Sequence, residues 1–201
     1  MRRWLLLSAA LLLGWALLPQ SALAALVTGT RGGDYLRGTD RADTIYGYSG
    51  ADAIAAGAGA DKVYPGPGND SVAAGTGGDY VAGSGGNDIV EGEGGNDTLY
   101  GGELTDLLYG GPGADKLNGG AGDDFLSGGS GPDTIYGSDG IDFIEPGWGA
   151  DKVYGGRGGD FIAAFRDGSR DYIYCGPGYD TVIATDPADR IAADCESVSR
   201  R

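Results

Sequence analysis

Aspartate recurs every ninth residue through most of this chain, and no other feature narrows the possible folds so far. It stands at Asp34, Asp43 and Asp52 and at every ninth position on to Asp160. Two residues are then inserted around Ser169 and Arg170, and the series resumes at Asp171, Asp180 and Asp189. Two places after each aspartate, from Leu36 to Ile191, the residue is Leu, Ile or Val in all eighteen copies. Between Gly110 and Asp160 the unit reads GGPGADKLN, GGAGDDFLS, GGSGPDTIY, GSDGIDFIE, PGWGADKVY and GGRGGD. A period this short and regular describes a stacked array of one structural unit.

Composition makes sense only under that period. The 42 Gly and 8 Pro of 201 residues would mark an aperiodic chain as low-complexity. A glycine spacing of nine excludes collagen, which needs glycine at every third position. Glycine at this density also opposes long helices. Each nonapeptide therefore supplies a turn and a short strand, its aliphatic residue inward and the two flanking residues outward. Two nonapeptides make one 18-residue coil with a strand on each side. The expected fold is an all-β parallel solenoid of about nine coils, on the order of 40 Å long at a strand spacing of about 4.8 Å.

Residues 18 apart then become neighbours. One outer face carries Tyr46, Tyr64, Tyr100, Tyr136, Tyr154 and Tyr174, with Lys62, Lys116 and Lys152 in the adjoining column; the other aligns Leu107, Phe125, Phe143 and Phe161. Such columns are read first as cross-strand pairs that stabilise the sheets, and second as a partner surface.

The repeat resembles the G-G-x-G-x-D-x-U-x nonapeptide of the RTX, or haemolysin-type calcium-binding, family, over roughly Gly29 to Ala192. The resemblance implies a right-handed parallel β-roll with Ca2+ held in its turns. Arrays of that family usually accompany a protease, a lipase or a pore-forming region and often follow a C-terminal export signal. This chain is expected to depart from that pattern, with an N-terminal leader and no companion domain.

The residues support the same chemistry. A hard divalent cation takes six to eight oxygen ligands from carboxylates and carbonyls, and a glycine turn closed by aspartate offers both. The candidate metal residues are Asp61, Asp70, Asp79, Asp88, Asp97, Asp115, Asp124, Asp133, Asp142, Asp151 and Asp160. With them go the turn glycines Gly111, Gly113, Gly120, Gly122, Gly129, Gly131, Gly156 and Gly158. Full turns precede Asp115, Asp124, Asp133 and Asp160. Ala or Pro replaces the first glycine before Asp61, Asp70, Asp79 and Asp151, read as a small departure. Ser84, Glu93 and Ser138 replace the second before Asp88, Asp97 and Asp142. Asp106, behind Leu104, and Asp34, Asp43, Asp171 and Asp189 sit behind poor turns and are left out. Carboxylates stacked about 5 Å apart repel by roughly 0.8 kcal/mol even in water, so metal binding and folding are expected to be one event. Calcium suits a cage of many carbonyls better than magnesium. Aspartates that only closed Asx turns would often be replaced by Asn or Ser.

Four segments are expected: a secretory signal peptide over residues 1–24, a lead-in over 25–33, the regular roll over 34–165 and an irregular cap over 166–201. Arg2 and Arg3, the apolar run Trp4 to Leu18 and Ala22-Leu23-Ala24 fit a leader cleaved near Ala25, leaving a chain that is secreted and not membrane-integral. The uncleaved anchor is the other reading. In an exported chain Cys175 and Cys195, the only cysteines, are expected to form a disulfide stapling the cap. A formal charge of −15 excludes ordinary nucleic-acid binding through phosphates, and the absence of His excludes His-based triads. The function read from the sequence is a secreted, non-catalytic calcium-binding roll. The alternative is an extracellular adhesin or matrix protein that binds a glycan or another protein through the Tyr/Lys or Phe face. A hydrolase is the weakest reading, because no carboxylate pair stands apart from the regular series.

Overall fold

The computed structural model describes residues 24–165, 167–184 and 186–200; the expected leader lies almost wholly outside them. Among the described residues every regular element is a strand. Strands alternate between two parallel sheets. One runs from Leu26–Thr28 through Thr44–Tyr46, Lys62–Tyr64 and Tyr80–Gly85 to Arg190–Ile191. The other runs from Tyr35–Arg37 through Ala53–Ala58 and Ser71–Thr76 to Ser197–Arg200. The register is 18 along the regular body, as in Leu99↔Leu117↔Ile135↔Val153. It becomes 20 across the insertion, where Val153 meets Ile173, and 16 at the end, where Val182 meets Val198.

Each sheet has ten coil strands, with Gly66–Pro67 an extra short piece. The solenoid thus has about ten coils rather than nine. Counting aspartates missed both ends. Leu26–Thr28, inside the expected lead-in, pairs with Thr44–Tyr46 although Ala25 stands where the repeat would have aspartate. Ser197–Arg200 pairs with Thr181–Ala184 although Glu196 stands there. An aliphatic residue in step, Val27 or Val198, is enough to continue the stack.

The aliphatic column is the core: Ile45, Val63, Val81, Leu99, Leu117, Ile135 and Val153 from one sheet, and Val90, Leu108, Leu126, Ile144 and Ile162 from the other, are all at 0 % exposure. The body strands are six residues long and run through the double glycine of the next turn. In Thr98–Glu103, for example, Leu99 and Gly101 face inward. The first glycine is therefore interior, beside the carboxylate five residues on.

Outside, the aromatic columns stack on themselves. Tyr136, Tyr154 and Tyr174 lie 4.9 and 5.1 Å apart, and Phe125, Phe143 and Phe161 lie 5.5 and 5.1 Å apart. Where Asn118 interrupts the tyrosines, the Lys116 ammonium sits over the rings of both Tyr100 and Tyr136. Stacking leaves most of these rings half-buried.

Cys175 and Cys195 form the disulfide, clamping the last coils, with Cys175 fully buried. In the chain-entropy model a loop of this size contributes about 3 kcal/mol. Reduction is therefore expected to lower the denaturation midpoint of the folded protein, and an unchanged midpoint would show that the last coils are held without the bridge.

Candidate metal centre

The aspartates do not lie on the surface of the turns. From Asp43 to Asp189, all seventeen of the series are at most 3 % exposed. One oxygen of each is spoken for. The Asp97 N–H donates to Asp115 Oδ1, the Asp115 N–H to Asp133 Oδ1 and the Asp133 N–H to Asp151 Oδ1, each at 2.8 Å. The same bond links Asp106 to Asp124 to Asp142 to Asp160 on the other side. It persists across the insertion, from Asp151 to Asp171 and from Asp160 to Asp180. At the last coil Glu196 takes the role, its Oε2 accepting from the Asp180 N–H at 3.0 Å. The extra methylene accompanies a register shortened to 16.

The other oxygen has no donor. Oδ2 of Asp52, Asp61, Asp70, Asp79, Asp88, Asp97, Asp106, Asp115, Asp124, Asp133, Asp142, Asp151, Asp160, Asp180 and Asp189 is buried and unpartnered. A buried carboxylate oxygen with nothing to accept from is among the costliest groups a fold can hold. For eight of these acids burial first, and then in every case a neighbouring carboxylate, pushes the acid up by a large amount against the Oδ1 hydrogen bond that pulls it down. Asp106, Asp133, Asp142 and Asp151 reach about 7. Asp70, Asp79, Asp97 and Asp124 reach about 6, with burial again the largest cause.

Asp34 and Asp43 behave differently. Thr30 and Thr39, four residues earlier, give each Oδ2 both a backbone N–H and a hydroxyl. Burial raises Asp43, but bonds from the Ala25 and Thr39 N–H groups and the Thr39 hydroxyl outweigh it, and its pKa is lowered. These two aspartates close local turns, the role that gives Oδ2 its own donors.

Beside nine of the fifteen orphan oxygens lies a glycine that the sequence reading did not single out. A Cβ on Gly128 would fall within 3.0 Å of both Asp133 Oδ2 and the Pro146 carbonyl oxygen of the next coil. The same holds for Gly110 with Asp115 and the Gly128 carbonyl, for Gly119 with Asp124 and the Gly137 carbonyl, and for Gly137 with Asp142 and the Gly155 carbonyl. Each missing Cβ leaves a cradle bounded by a carboxylate oxygen and backbone carbonyl oxygens. Gly47, Gly83, Gly92, Gly101 and Gly155 keep the same cradle before Asp52, Asp88, Asp97, Asp106 and Asp160. Ala56, Pro65, Ala74 and Pro146 put a real Cβ at that position before Asp61, Asp70, Asp79 and Asp151.

The second glycines, and the third glycines other than Gly113, have another task. Gly111, Gly120, Gly129 and Gly156 have φ of 100–116°, and Gly122, Gly131 and Gly158 have φ of 117–142°, a backbone open to glycine without steric cost. Ser84, Glu93 and Ser138 adopt the same left-handed backbone, at φ 91, 66 and 87°, and so does Leu104, at 74°. Leu104 leaves the Asp106 carboxylate in the same setting as the others, so the poor turn in the sequence did not spoil the geometry. A left-handed residue other than glycine costs about 1–2 kcal/mol, partly offset by the extra freedom glycine has when unfolded. Ser138→Gly is accordingly expected to stabilise the calcium-loaded protein by up to about 1 kcal/mol. Denaturant titration reads this, and a lowered midpoint would contradict it.

Among the described residues no three carboxylates converge on one point, and the one ion pair, Arg157 with Asp139, is on the surface at 3.9 Å. A cation here draws mainly on carbonyls, with carboxylate oxygens supplying charge. An all-oxygen cradle of that kind fits a hard cation. The RTX calcium-binding nonapeptide repeat model matches in four copies, at residues 28–63, 64–99, 100–135 and 127–162, about two thirds of the chain. The chain belongs to the RTX calcium-binding repeat family. RTX nonapeptide repeats bind Ca2+. RTX repeat proteins are typically extracellular. No curated protein matches the chain. Among the described residues no helix is long and apolar enough to cross a membrane.

Proposed function

We propose that the protein is an exported, non-catalytic RTX roll that takes up calcium in its turns and is held folded by it. The observation that carries this reading is the row of fifteen buried Oδ2 atoms without a hydrogen-bond donor. Calcium supplies the missing positive partner there. The chain's own residues do the rest: the Oδ1 ladder fixes each carboxylate, the first glycine leaves room, and the second and third glycines turn the backbone. We assign the strongest sites to the turns with an open cradle, before Asp88, Asp97, Asp115, Asp124, Asp133, Asp142 and Asp160. Asp52 and Asp106 join them, although the sequence did not mark them. Asp61, Asp70, Asp79 and Asp151 are assigned weaker sites, because Ala or Pro crowds the cradle. Export rests on the leader-like residues 1–24, and the absence of catalysis on the uniformity of the carboxylate series.

Far-UV circular dichroism with chelator, then with added calcium or magnesium, tests the coupling. A disordered spectrum that turns to β with calcium, and less with magnesium, is expected. An unchanged β spectrum in chelator, from protein that metal analysis finds calcium-free, would sink it.

The adhesin-like alternative draws little support from the Tyr/Lys and Phe faces. Their rings are largely spent on one another, as cross-strand pairs are. What favours a partner lies elsewhere on the surface.

A further inference from the structure

Near the frame break the outer surface opens into a groove of about 350 Å³. Its floor exists because the repeat puts small residues there. Ser127 and Gly129 are aligned by register with Glu145 and Gly147, while the same outer column carries Tyr109 on one side and Ile183 on the other. Its walls are Trp148 and Phe165, 68 % and 56 % exposed. Phe165 follows directly on the strand Phe161–Ala164, where the regular frame ends. Two exposed aromatic rings facing one groove have no role in the calcium roll described above.

The polar lining narrows the occupant. Glu145 and Asp167 are the acids of the groove, and an ionised carboxylate only accepts hydrogen bonds. The Asp167 carboxylate is fixed in place, because its two oxygens accept from the Gly149 and Ser169 N–H groups. Each oxygen retains a further lone pair for a ligand. The occupant must therefore bring donors, and the two carboxylates of the lining repel an anion. The Ser127 hydroxyl, which both gives and takes hydrogen bonds, suits a polyhydroxylated ring better than a bare ammonium group. A pyranose has an apolar C–H face for the aromatic walls and a rim of hydroxyl donors for the acids. We propose that this groove is a sugar-binding subsite for a neutral pyranose unit.

The inference needs the roll folded but not the export or non-catalytic parts of the preceding reading. Trp4 and Trp15 are the only tryptophans besides Trp148, so in full-length protein carrying Trp4→Phe and Trp15→Phe the emission reports on the groove alone. Calcium-loaded protein, its β spectrum verified, is titrated with maltose, cellobiose and lactose, and in separate arms with choline and glucuronate. A saturable change with at least one disaccharide is expected in the millimolar range typical of a small, open site, about 1 mM. Glucuronate should bind at least tenfold more weakly. Glu145→Ala and Phe165→Ala, both at surface positions, should each weaken binding at least tenfold while leaving the calcium-dependent spectrum unchanged. A response to choline alone would overturn the proposal in favour of a cation site. No response to any disaccharide, or a response that survives both substitutions, would overturn it outright.

Discussion

Stripped of calcium and titrated from pH 7.5 down to pH 4, the protein is expected to regain its β-sheet circular dichroism, the reverse of ordinary acid denaturation. The reason is the sign of the aspartate shifts. In the folded chain Asp106, Asp133, Asp142, Asp151 and Asp171 hold their protons up to about pH 7, and Asp70, Asp79, Asp97 and Asp124 up to about pH 6. In the unfolded chain all of them ionise near pH 4. Below that pH both states are protonated and these groups cost nothing. Between about pH 4 and pH 7 the folded state binds more protons, so stability falls as pH rises. Three such groups acting alone would give about 4 kcal/mol per pH unit, a large part of the 5–15 kcal/mol typical of a whole domain. Like charges in the row repel, so in the folded chain the protons leave over a spread of pH; the unfolding transition is steep because it releases many protons at once. Calcium should flatten it and should release protons on binding below pH 7. A calcium-free spectrum that stays disordered at pH 4 would refute the account of the row as held back by its own charge.

Asp142→Asn is expected to change stability in opposite directions with and without calcium. The amide oxygen can still accept from the Asp124 N–H, now bonded to Asp142 Oδ1 at 2.9 Å, so the ladder survives. The amide NH2 replaces the orphan Oδ2 and points a donor into the cradle bounded by the Gly155 carbonyl. Without calcium the substitution removes a buried charge, which burial and the neighbours Asp160, Asp124 and Asp123 all oppose. Stability should rise by about 1–3 kcal/mol, the usual scale of an unsatisfied buried group, and the pH midpoint should move toward neutrality. With calcium the same change removes one charged ligand, lowering affinity and the loaded protein's midpoint. Asp142→Ala should lower both, since Asp124 loses its acceptor. Changes of the same sign for Asp142→Asn in the two conditions would separate the carboxylate from calcium binding.

Most of the fold could be read from the ninefold register, because one inward aliphatic residue per repeat is a sufficient instruction for a parallel stack. Val27 and Val198 obey that instruction without aspartate, which is why counting aspartates stopped a coil short. The site was legible in part. The left-handed glycines follow from the turn, but the role of the first glycine does not. Its importance comes from the orientation of an interior carboxylate toward the neighbouring coil, a relation across 18 residues that no local pattern expresses. Leu104 misled for a related reason: a leucine can be forced into a glycine-like backbone when coils on both sides dictate the path. Thr30 and Thr39 are the clearest retrospective signal, since a threonine four residues before aspartate supplies the local donors that the rest of the series lacks.

Because successive strands belong to opposite sheets, the solenoid has a parity that its sequence hides. A duplication or loss of one nonapeptide would keep the aliphatic column filled, yet would carry every downstream residue to the other side of the rod. The tyrosine stack from Tyr136 to Tyr174 would then fall in line with Tyr109 and Ser127, and the groove beside Trp148 would lose its floor. Copy number in such a gene can drift freely only in steps of two repeats. Odd steps preserve the fold and scramble the surface, so the outer columns record an inheritance in units of eighteen.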